Sequence, residues 1–151
     1  MKAMKKYAIL ALALLAGTAF ANGIADPYME AKYQSMGCYA YFATELLWDA
    51  QGYYPDPPPA PAYLEELIDD IGYKSETGAL PQLYDYAVEG NRAAFDSQVR
   101  TLQGLVNDAK ALYRGEARNA IMNGWESRGN VRDDYSNARS NLQCCLSGGD
   151  S

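Results

Sequence analysis

The 151-residue chain contains no histidine. That removes the usual general base of serine and cysteine nucleophiles, the commonest zinc and copper ligand, and the axial ligand of most haems. No Cys-x-x-Cys pair is present for thiol redox work or haem attachment, and no glycine-rich phosphate loop follows a strand-like segment. After the first twenty residues no apolar run approaches the roughly 20 residues that a membrane-spanning helix needs. The remaining chemistry rests on carboxylates and three cysteines, so neither a cofactor nor a metal is expected.

The beginning of the chain reads as an export signal. Lys2, Lys5 and Lys6 form a positive region, Tyr7 to Gly17 an apolar stretch, and Ala19-Phe20-Ala21 a small-residue cleavage pattern, so residues 1–21 are expected to be removed. The product is expected in the periplasm or outside the cell, without stable membrane insertion. Residues 22–146 are assigned to one folded domain and 147–151 to a disordered tail.

Formal net charge is -6, and -9 without the three leader lysines. Such a balance argues against nucleic acid or an anionic membrane as partner. The charge is uneven: residues 22–90 hold twelve acids against Lys32 and Lys74, whereas residues 91–151 hold eight bases against seven acids. Internal salt bridging between the two halves is the expected consequence. It would absorb a late arginine row, Arg114, Arg118, Arg128, Arg132 and Arg139, which lies beside Trp125 and Tyr135.

Cys38, Cys144 and Cys145 are expected to supply one disulfide in an oxidising compartment. A Cys144 to Cys145 bridge would close a strained ring, so Cys38 is expected to pair with one of the two. The third thiol is left over for a free or modified state, or for a link to a second copy of the chain.

Helical periodicity dominates the rest. Asp26-Pro27 is a good start signal, and Met29, Tyr33, Met36, Ala40, Ala43, Leu47 and Ala50 follow at intervals of three and four. Leu64, Leu67, Ile68 and Ile71 mark a short second helix, whose other face carries Glu65, Glu66, Asp69 and Asp70. Tyr84, Val88, Phe95, Val99, Leu102, Val106, Ala109 and Tyr113 suggest one long helix kinked at Gly90-Asn91, around which the chain would be organised. Val131, Tyr135, Ala138, Leu142 and Cys145 supply a last stripe. The expected fold is all-α: a single-domain bundle of about four helices near 27–51, 62–71, 81–122 and 131–145, stapled by the disulfide.

Between the first two helices runs Tyr53-Tyr54-Pro55-Asp56-Pro57-Pro58-Pro59-Ala60-Pro61, expected to be an extended connector. Tyr53, Tyr54, Pro57, Pro58 and Pro59 are the candidates for an interaction surface, because tyrosine rings bring contact area at low entropic cost and prolines lose little freedom on docking. Tyr28, Tyr41, Tyr63 and Tyr86 also lie off or beside the apolar stripes and are expected to be partly exposed.

Three weaker constellations are present. Glu45 and Asp49, one turn apart, could be written as a glycosidase pair. Met29, Met36 and Cys38 could gather a soft metal, and the acids of the second helix could gather calcium. The methionines read first as core and the acids as a solvated face.

A non-enzymatic binding or interaction module is therefore expected, acting on another protein through tyrosine- and proline-rich surface. A disulfide-linked structural subunit and a carboxylate-dependent glycan hydrolase are the alternatives.

Overall fold

The computed structural model describes residues 23–148, which form five helices and no strand. They are α1 (Pro27–Gly52), α2 (Ala62–Ile71), α3 (Ala79–Glu89), α4 (Arg92–Met122) and α5 (Arg128–Leu146). The leader, residues 1–21, and residues 149–151 of the expected tail lie outside the described residues. No helix among the described residues is long and apolar enough to cross a membrane.

The chain is organised around α1, which packs against all four other helices. Its start follows from local chemistry: the Asp26 carboxylate accepts from the backbone N–H groups of Tyr28 at 2.8 Å and Met29 at 3.1 Å, and Pro27 occupies the first turn, where no amide is needed. At 100° per residue the buried side chains, from Cys38 and Phe42 through Leu46, Ala43 and Leu47 to Thr44, cover about two-thirds of the helix circumference. Such a helix is central, with the more amphipathic elements arranged around it.

The expected long kinked helix is instead two helices. Gly90 adopts a left-handed conformation (φ 73°), and the Asn91 N–H bonds back to the Tyr86 carbonyl at 3.0 Å, closing α3. The Asn91 side chain then accepts from the Ala94 N–H at 3.1 Å and caps α4. The chain turns back on itself there: the Gln98 amide donates to the Ala79 carbonyl and to the Gln82 side chain, both at 3.1 Å. The unbroken phase from Val88 to Phe95 arises because both helices face one core. Phe95, Val99, Leu102, Val106, Ala109 and Tyr113 are buried as their spacing predicts.

The α2–α3 connection is held by a close glycine pair. Gly72 (φ 77°) ends α2, and a Cβ there would lie 2.3 Å from the Thr77 carbonyl oxygen; one on Gly78 (φ 108°) would lie 2.6 Å from the Asp69 oxygen. Only glycine fits both the conformation and the space.

Antiparallel packing of α5 on α1 is as expected, and it brings Cys38 and Cys145 into a disulfide with Cα atoms 5.7 Å apart. Cys144 is the free thiol. Helix α5 begins three residues before the expected start, because the Ser127 hydroxyl caps the Asn130 N–H at 3.1 Å. Of its side chains only Ala138 is fully buried.

Candidate interaction surface

Tyr53 and Tyr54 follow the last turn of α1, and the structure turns both hydroxyls towards partners within the chain. Tyr53, expected on the surface, is buried. Its hydroxyl donates to Asp134 Oδ2 on α5 at 2.7 Å and accepts from the Tyr113 hydroxyl on α4 at 2.9 Å. Burial, the hydrogen bond with Tyr113 and that with Asp134 push the Tyr53 phenol well above its ordinary range. Tyr113 stacks on Tyr135, and Tyr135 meets Phe42 edge-on, so aromatic rings link α1, α4 and α5.

A second cluster lies beside the first. Glu116, buried on α4, accepts hydrogen bonds from the hydroxyls of Tyr54 and Tyr63. Burial and the Glu116 bond raise the Tyr54 phenol, and the Glu116 bond and then burial raise that of Tyr63. Tyr54 packs against Trp125, ring centroids 5.1 Å apart, in the turn between α4 and α5. Of the other tyrosines expected at the surface, Tyr28 and Tyr63 are exposed and Tyr41 and Tyr86 half-buried.

The proline segment is not a continuous extended connector. It bends over 56–58, with cis peptide bonds at Asp56-Pro57 and Pro57-Pro58, and leaves Pro57, Pro58 and Pro59 exposed. These prolines follow Tyr54 after Pro55 and Asp56, in the connection between α1 and α2.

Glu45 and Asp49 lie on the α1 side that meets α5. Glu45 accepts from the Asn141 amide at 3.2 Å, and burial, then the Asp134 and Glu45 carboxylates, push Asp49 up to about 7. The soft-metal set does not assemble, because Cys38 is spent in the disulfide and Met29 and Met36 are core. Among the described residues no three or more histidines, cysteines or acids are grouped to hold a metal ion.

The expected internal pairing of the arginine row is also not formed. Arg114 and Arg118, one turn apart on α4, face Arg128 and Arg132, one turn apart on α5, across an open groove of about 470 Å³. Tyr113, Ala117, Ile121, Val131 and Tyr135 line it between them, and Met122 is 77% exposed beside it. Among the described residues the one ion pair these four arginines make is Arg132 with its neighbour Asp133 at 3.9 Å, both exposed. Such a pair is worth little. The groove is thus cationic and apolar together, in a chain of net negative charge.

Glu116, Asp134 and Tyr113 were not among the site residues the sequence suggests, although Glu116 stands at helical spacing among Tyr113, Ala117 and Ala120, where an acid is out of place. The chain matches no protein family, no curated protein and no solved structure.

Proposed function

We propose that this protein is an exported, non-enzymatic binding module that holds an acidic partner in the α4–α5 groove. The observation that carries the reading is four exposed arginines around an apolar groove without acidic partners from the first half of the chain. Arginine is suited to the role, since its planar donor fork pairs with carboxylates while its weakly hydrated face lies against apolar surface. The disulfide and the leader pattern support an oxidising destination. The tyrosine network supports the site by fixing Tyr113 and Tyr135 in its wall.

Titration with a helical peptide carrying glutamates one turn apart and one aromatic residue tests the proposal, monitored by tryptophan fluorescence. Saturable binding that weakens with salt and drops at least tenfold in Arg118→Glu/Arg128→Glu is expected. No binding, binding indifferent to the arginine changes, or a stronger preference for a single-stranded oligonucleotide overturns it.

A covalent structural subunit is the second reading, favoured by the free and half-buried Cys144. It predicts a reductant-sensitive dimer that Cys144→Ser abolishes; a monomer from the exporting cell excludes it.

A further inference from the structure

Helix α2 carries the complement of the groove. Glu65, Glu66, Asp69 and Asp70 are all exposed, and among the described residues none has a cationic partner; the Gln51 amide hydrogen-bonds Glu65. Glu65 with Asp69 and Glu66 with Asp70 are like-charge pairs one turn apart, each costing a few tenths of a kcal/mol unless cations lie nearby. The arginines repeat the same spacing: Arg114 with Arg118 and Arg128 with Arg132 are four residues apart, about 6 Å along their helices. Tyr63, 45% exposed, precedes Glu66 by three residues, which sets an aromatic ring beside the acids on one face of α2.

We infer that the occupant of the arginine groove is helix α2 of a second copy of this chain, which deepens the proposed function and rests on it. Glu66 and Asp70 meet the arginine walls, while Tyr63 stays on Glu116 of its own chain and holds the start of α2 in place. The two charge sets that the sequence leads one to pair within a molecule pair between molecules. Groove and helix are different surfaces, so the contact is heterologous and leads to rings or open chains of subunits.

Sedimentation velocity of the full chain tests this, with Cys144→Ser in every variant so that covalent dimers do not contribute. Association that rises from low-micromolar to near-millimolar protein and weakens with salt is expected. Arg118→Glu/Arg128→Glu and Glu66→Lys/Asp70→Lys, all at exposed positions, should each weaken it at least tenfold, and mixing the two variants should restore it, because each then offers a helix complementary to the other's groove. A monomer at every concentration, association unchanged by either reversal, or a mixture that stays dissociated overturns the inference. If the acidic peptide still binds in an arginine-dependent way while the chain stays monomeric, only the identity of the occupant falls; if the peptide does not bind, the groove itself is no binding site.

Discussion

Tyr53 and Tyr113, sixty positions apart, share a hydrogen bond of 2.9 Å beneath the surface where α1, α4 and α5 meet. The bond belongs to a chain: Tyr113 donates to Tyr53, and Tyr53 donates to Asp134. One hydroxyl therefore satisfies a phenol on α4 and a carboxylate on α5.

Tyr53→Phe leaves both partners without it. Removing one member of a part-buried network costs about 1–3 kcal/mol, more than a lost exposed hydrogen bond, because the groups left behind remain desolvated. Urea unfolding of Tyr53→Phe, Asp134→Asn and the double variant should show a coupling energy above about 0.5 kcal/mol. Strict additivity would mean that the hydroxyl and the carboxylate do not act together.

Asp49 predicts a pH dependence of definite sign. Its folded-state carboxyl is pushed up to about 7, whereas an unfolded aspartate titrates near 3.9. Between those values the folded state binds more protons, so the contribution is fully present below about pH 4 and is lost as pH rises through about 7. Discounted for solvent, it amounts to about 1–2 kcal/mol. Asp49→Asn should flatten the fall in stability over that window and be the more stable form at pH 8. Parallel stability curves for the two proteins would contradict this.

Gly72 and Gly90 both have positive φ, but differ in surroundings. A Cβ on Gly90 has nothing within 4 Å, and one on Gly72 would strike the Thr77 oxygen and Pro81 Cδ. Gly90→Ala should cost about 1 kcal/mol, from conformation alone, and Gly72→Ala at least about 2 kcal/mol. Thermal melts of the two variants rank them. Equal losses would show that the α2–α3 connection relaxes freely.

The disulfide spans a sequence separation of 107 residues, for which chain entropy gives a little under 5 kcal/mol. Cys38→Ser should lower stability by up to that amount, while Cys144→Ser should be close to neutral. Alkylation of the native protein should add a single label, at Cys144. A label on Cys145 in its place would mean that the pairing is shared between the two adjacent cysteines.

Much of the fold was legible where the controlling signal is local. Asp26-Pro27 starts α1, Gly72 ends α2, and the Met29 to Ala50 and Phe95 to Tyr113 stripes mark core-facing sides through side-chain spacing alone. The Gly90-Asn91 break was misread because hydrophobic phase reports which way a segment faces and not whether it is continuous. Tyr53 was read as surface because it lies off the apolar stripes beside the proline segment, and its burial depends on Tyr113 and Asp134, which are remote in sequence. The arginines were expected to pair internally from net charge. Which acids they can reach depends on where α4 and α5 lie relative to α2, and a charge count does not contain that geometry.

Helix α5 has a mechanical role that follows from its shallow seat. With Ala138 as its one fully buried side chain, it has little core of its own to hold it down. Its attachments include the Asp134 bond to Tyr53 near one end and the Cys145 bridge to Cys38 at the other, so it resembles a strap fastened at both ends. Segments with few buried apolar contacts open first. Cutting the bridge unfastens the strap at its C-terminal end, while the Asp134 bond still holds the first two turns, which line the arginine groove. A reducing environment therefore frays α5 from its C-terminal end before the rest of the bundle opens, and the turns nearest Tyr53 are the last of the strap to leave.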